Sequence, residues 1–315
     1  MVVMKGTSEY PLLFPLLFQW LRDVVKLQYF LNGLPIGSIY ALVALSYSLI
    51  YAASGVLNWS QGDIVMLGAF IGFTIINVIK LGFTTGLLIS MIVLALVGLL
   101  IQIAILQPLR NRQAPPINVV IATLGVAILI RNVALVIWGA DAQNSPSPVS
   151  TKPIYLGSLS ITPQDILILM AGIALMVILQ FLLKRSKEGK ALRAVAQDRY
   201  AAILMGIDTN RSDGVAFAAS ASLGAAAGML VAPIFFVTFN MGALIGLKGF
   251  VAAVIGGLGN IPGAIAGGFF LGIIESMAGG QISSGYRDAI TYALLILVLW
   301  LKPAGLFLRK TRQKV

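Results

Sequence analysis

The chain has 315 residues, 58% of them hydrophobic and 10% charged, with a net charge of +11 and neither Cys nor His. Soluble globular domains carry about 25% charge, so an ordinary soluble enzyme, a disordered chain and a fibrous repeat are excluded. So are disulfides, thiol or His catalysis and the usual zinc sites.

The bilayer is the solvent for this sequence, whose mean hydropathy is +0.94. Residues 1–32 read as an extension lying outside or along the interface, with Trp20 and Tyr29 placed as aromatic anchors. The apolar stretch 12–21 is broken by Pro15 and lacks a cleavage site, so it does not read as a signal peptide. Runs near the length of a membrane-spanning helix follow at 33–52, 63–79, 85–107, 117–138, 165–183, 214–237 and 286–301. The fifth start is marked by Thr162-Pro163-Gln164-Asp165, which offers an N-cap, a Pro at the first helical position and an acid in the first turn. The stretch 248–279 is too long for one span and is interrupted by Gly256-Gly257-Leu258-Gly259-Asn260-Ile261-Pro262-Gly263.

Positive charge is concentrated. Residues 184–211 hold seven Lys and Arg against three acids, and residues 302–314 hold five against none. Both stretches abut apolar runs, which is the positive-inside pattern of membrane topology rather than a nucleic-acid footprint. With these segments and the 107–116 loop inside, parity requires 248–279 to enter the membrane and return. A plain turn at the membrane face satisfies this. So does a broken or re-entrant hairpin, or a pair of short helices turning near Asn260-Ile261-Pro262, whose irregular backbone would have to be buried in protein or line a cavity. The expected architecture is all-α and polytopic, with about eight transmembrane helices. Residues 33–301 form the membrane domain, with a cytoplasmic excursion at 184–213 and a basic cytoplasmic tail at 302–315. Small residues four apart (Gly68/Gly72, Gly224/Gly228, Gly263/Gly267, Gly268/Gly272) predict close helix packing.

Neither a Walker-type loop nor a G-x-G-x-x-G loop is present, so no nucleotide site is recognisable and energy must come from an ion gradient or another subunit. Asp63, Arg131 and Glu275 are the intramembrane charges; Lys80, Lys248 and Arg287 read as lying near helix ends and snorkelling. Asn58, Gln61, Asp63, Gly257, Gly259, Asn260 and Glu275 are the pathway candidates by position. The segment 184–207 reads as two short helices, the second capped by Asp198. Leu192, Val195 and Ala196 are expected to share a face that docks on a partner, with anionic lipid as the competing contact. No paired constellation supports an intramembrane enzyme, and an ion-coupled secondary transporter would need Asp63 or Glu275 to carry coupling.

Four ordered motifs carry a resemblance. They are Asn32-Gly33-Leu34-Pro35-Ile36-Gly37-Ser38, Asn58-Trp59-Ser60-Gln61-Gly62-Asp63, the Gly256–Gly263 run, and Lys302-Pro303-Ala304-Gly305-Leu306-Phe307. Together with the 184–207 loop they make residues 30–308 similar to the branched-chain amino acid permeases of bacterial ABC importers, of the LIV-H type. The resemblance implies a multi-pass inner-membrane subunit that works with a second homologous permease, two cytoplasmic ATPases binding ATP and Mg, and an external substrate-binding protein. This chain itself would carry no cofactor or metal and bind no nucleic acid. The cargo would be branched-chain or other neutral amino acids, or, as in close relatives, urea or short amides. The family's coupling role maps onto Glu188, Gly189, Leu192, Arg193, Val195, Ala196, Asp198, Ala201, Ala202 and Gly206. Gln61 and Asp63 depart from the His and Glu often found there.

Overall fold

The computed structural model describes residues 13–281 and 283–307, with side chains from Val25 onward except at position 156. Residues 1–12 and most of the basic tail, from 308 on, lie outside the described residues, as does the Trp20 side chain. The helices are α1 (Leu13–Ser54), α2 (Gln61–Asn77), α3 (Phe83–Ile101), α4 (Gln107–Asn111), α5 (Pro116–Trp138), α6 (Pro163–Arg185), α7 (Lys187–Gln197), α8 (Arg199–Leu204), α9 (Thr209–Val231), α10 (Met241–Gly256), α11 (Ile261–Gln281) and α12 (Arg287–Leu301). A one-turn π-helix, Gln102–Leu106, joins α3 to α4. A small antiparallel hairpin, β1 (Ile154–Leu156) and β2 (Leu159–Ile161), sits in the α5–α6 connection.

Among the described residues, seven helices are long and apolar enough to cross a membrane, and α2 and α10 are shorter apolar helices. The expected count of about eight is met. α1 and α9 are largely enclosed by protein, whereas α3, α5, α6 and α12 form an exposed outer ring. That division follows composition. α9 is rich in Ala, Gly and Ser, which let neighbouring backbones approach. The outer helices present Leu, Ile and Val to the surroundings.

All four small-residue pairs lie at helix contacts. Gly68 and Gly72 face Ala225 and Met229, Gly224 and Gly228 face Gln61 and Val65, Gly263 and Gly267 face Gly256 and Ala252, and Gly268 and Gly272 face Ala41 and Gly37. α2 and α10 cross at Gly62, where an added Cβ would come 3.0 Å from the Gly246 Cα.

The interrupted hairpin is present as α10 and α11, joined by a turn whose Gly257 and Gly259 have φ of 95° and 82°. It begins at Met241 rather than at 248. Lys248 therefore lies inside a helix and not near its end. Likewise α9 starts at Thr209, capped by the Asp208 carboxylate, and stops at Val231 instead of 237. The Tyr29 hydroxyl donates to the Gly280 carbonyl (3.0 Å), tying this part of α1 to the end of α11.

The two ends of the molecule are distinct. At one, the end of α1, the α3–α4 end, the α7–α8 excursion, the α10–α11 turn and the C-terminal segment converge. The Leu306 amide donates to the Ile255 carbonyl (2.8 Å), and Asn260 Nδ2 donates to the Phe307 carbonyl (3.2 Å). Gly305, at φ 91°, seats its backbone on Gly257, strapping the end of α12 to this turn. At the other end Gln28 clasps Ser160 of β2 through both its amide atoms, and Gln143 bridges to Val237.

Candidate functional site

The basic excursion forms two helices, as expected. Ser186 caps α7 by accepting from the Gly189 amide (2.9 Å), and Asp198 caps α8 by accepting from the Ala201 amide (2.9 Å). Gly189 is required by proximity: a Cβ there would lie 2.5 Å from the Leu183 Cα and 2.6 Å from the Leu182 carbonyl oxygen. Gly206 ends the excursion at φ 79°.

The expected docking face is not free. Leu192 and Val195 are buried in the chain's own core, as is Ala202, while Ala196 points to solvent instead of joining them. Helical spacing identified the apolar face but not what covers it. Glu188 pairs with Arg211 at 2.6 Å on the surface, Arg193 Nη2 donates to the Lys184 carbonyl (3.4 Å), and Ala201 is exposed. The apolar surface actually presented is Tyr200, Ile203, Leu204 and Met205 of α8 and its end, with Met205 82% exposed.

Beneath α8 lies a charge cluster that the sequence reading missed. Asp213, in the first turns of α9 and 0% exposed, receives both guanidinium nitrogens of Arg199 (3.0 and 2.9 Å) and also pairs with Arg110 of α4. Each Arg reaches one more acceptor at the end of α1: Arg199 the Ala53 carbonyl and Arg110 the Ser54 carbonyl, both at 2.9 Å. These are the unsatisfied carbonyls of a helix C-terminus, where cations are favoured. One buried carboxylate thus ties the excursion to α1, α4 and α9. The usable signal was an acid directly before the apolar run at 214. Its partners lie 14 and 103 positions away, beyond any local pattern.

The pathway candidates separate into three places. Asn58, Gln61 and Asp63 belong to a re-entrant entry into α2. Gln61 donates to the Ser220 carbonyl (3.2 Å), midway along α9, so α2 starts deep inside the bundle. Non-helical backbone at that depth needs internal partners, and they are present. The Asn58 Oδ1 accepts from the Ser60 amide (3.1 Å) and hydroxyl (2.7 Å), and the Trp59 amide donates to the Thr123 hydroxyl (3.3 Å). Asp63 is buried and pairs with Arg131 of α5 (3.1 Å), so two of the three intramembrane charges neutralise each other. The Trp59 ring packs 5.4 Å from Phe250 of α10.

Gly257, Gly259 and Asn260 form the turn at the basic end. With Ser54, Val195 and Arg199, the turn residues Gly259 and Asn260 border a cavity of about 730 Å³. Glu275 belongs to neither group: it lies in the half of α11 away from that turn, where it holds Lys248. Among the described residues no group of three or more His, Cys, Asp or Glu could hold a metal.

Comparison with known proteins places this arrangement in context. Residues 29–299 match the family model described as "Branched-chain amino acid transport system / permease component". The chain is 33% identical over 92% of its length to the high-affinity branched-chain amino acid transport system permease protein LivH of Escherichia coli K12, covering 97% of that protein. It is 31% identical to BraD of Pseudomonas aeruginosa, a permease described in the same words, over 92% of this chain and 98% of the relative. A probable branched-chain amino acid permease of Methanocaldococcus jannaschii is 27% identical over 91% of this chain and 94% of its own length.

Proposed function

Because the chain belongs to the branched-chain amino acid transport system permease family, and so is a multi-pass transport subunit rather than an enzyme, we propose that it moves branched-chain or other neutral amino acids inward. External binding protein delivers them, a second homologous permease completes the pathway, and two cytoplasmic ATPases supply the work. The observation that carries this reading is the α7–α8 excursion. It projects an apolar tip at the end where basic segments gather, and Arg199 keys it to the membrane helices through a buried carboxylate. Such a lever suits drive from a partner outside the membrane, with helices then rocking as rigid bodies between inward and outward states. Asp63 and Glu275, the two carboxylates an ion-coupled carrier would use, are held in separate places by Arg131 and Lys248 and form no shared relay.

The test is reconstitution. Proteoliposomes holding both permeases and both ATPases should accumulate leucine only with ATP inside and binding protein outside. Accumulation by this chain alone, driven by a cation gradient, would overturn the reading. The exposed tip gives a sharper expectation. Met205→Glu should weaken ATPase capture by the solubilised permease at least tenfold, about 1.4 kcal/mol, without moving its melting temperature. A central apolar anchor carries interface energy out of proportion to its area, and Met205 is exposed rather than part of the core. ATPase co-purification at wild-type level would remove the tip from the interface.

A further inference from the structure

Lys248 is a largely enclosed cation that the proposed coupling path leaves unused. Its side chain, 13% exposed, lies inside α10 with Nζ 2.5 Å from Glu275 Oε1 and 2.9 Å from Asp288 Oδ1. An ionisable group inside a membrane helix is costly and marks a functional site by default. One buried carboxylate, Glu275, already neutralises it. Asp288 is the surplus: 57% exposed, at the start of α12, and on the rim of a cavity of about 250 Å³. That volume falls below the ~300–1,000 Å³ of pockets for drug-sized ligands. Its walls are Ile39, Met241, Leu244 and Ile245, with the exposed Phe236 at the mouth, beside the Gln143–Val237 bridge at the end away from the basic loops.

A small apolar chamber thus carries a cation and a spare carboxylate side by side. We infer that this cavity is the receiving site for the aliphatic α-amino acid, with Lys248 taking its carboxylate, Asp288 its ammonium, and the Ile39–Leu244–Ile245 wall its side chain. The inference deepens the proposed function and rests on it. A purely structural ion pair needs no second acid and no adjoining void. A zwitterion inserted between Lys248 and Asp288 exchanges one pairing for two and leaves the buried Lys248–Glu275 contact intact. The site also lies on the face where an external donor would release its cargo.

The test uses the complete permease–ATPase complex in nanodiscs and tritiated leucine. Wild type should bind leucine. 4-Methylpentanoate and 3-methylbutylamine, which each lack one of its two charges, should fail to compete at tenfold excess. Asp288→Asn, which spares the Lys248–Glu275 pair, should weaken leucine binding at least tenfold. Leu244→Trp, which fills the chamber, should abolish leucine binding with ATPase assembly unchanged. Wild-type leucine affinity in both variants, competition by either singly charged analogue, or no leucine binding by a complex that imports leucine would each overturn the site. If the wild-type complex and its binding protein import no aliphatic amino acid at all, the function proposed above fails instead.

Discussion

Asp213→Asn is expected to leave ATP hydrolysis running in the assembled complex while import falls at least a hundredfold. The substitution keeps size and removes the charge that two guanidinium groups share. Breaking a buried pair costs about 3–5 kcal/mol because the remaining charge loses its partner. Here two cations are left facing each other beneath α8. A hundredfold loss needs only ~2.7 kcal/mol, so the effect is large enough to read. Fold and coupling are separated by Arg199→Gln, which detaches α8 but keeps the Arg110–Asp213 pair. It should cut import per folded molecule, while its melting loss resembles that of Arg110→Gln, which also removes one of the two partners of Asp213. Arg110→Gln leaves the excursion keyed to α9 and should act mainly on stability. If Arg199→Gln imports at the wild-type rate per folded molecule, the cluster holds the structure together without transmitting motion.

The second large effect is steric. Gly228→Ala should lower the melting midpoint by on the order of 10 °C, from ~3 kcal/mol of overpacking. A Cβ at Gly228 would collide with the Val65 carbonyl oxygen and lie 3.0 Å from the Ala69 amide nitrogen, both backbone atoms of α2 that no rotamer change can move. Gly125→Ala is the matched control. No atom lies within 4 Å of its added methyl, and Ala in a helix gains ~0.5–1 kcal/mol over Gly. The two variants therefore differ by one methyl each and should move stability in opposite directions. Equal melting curves would refute the close-packing account of the α2–α9 contact.

Much of the architecture was legible because bilayer length and charge asymmetry act locally along the chain. The caps at Thr162 and Asp198 and the turn at 257–260 stand where their residue types place them. What escaped depends on pairing across distance. Lys248 reads as the start of a run, since Gly242 and Gly246 dilute the apolar signal before it, yet α10 begins at Met241 and those two glycines pack against Gly62 of α2. Leu192 and Val195 show helical spacing, and spacing alone does not say whether the apolar face meets a partner or the chain's own α6 and α9. Asp63 was recognisable as intramembrane, but only the fold brings Arg131 to it. The β1–β2 hairpin was missed because its strands are three residues each, too short for alternation to register.

The strap formed by Gly305, Leu306 and Phe307 limits where compliance can reside. It links the foot of α12 to the elbow joining α10 and α11 by two hydrogen bonds, each worth ~1 kcal/mol, and by a backbone contact at Gly257. Those three helices are consequently clamped at the base, and their splaying is resisted there. Any movement of α8 must therefore be passed on through Arg199 and Asp213, since the base of α10, α11 and α12 is already braced.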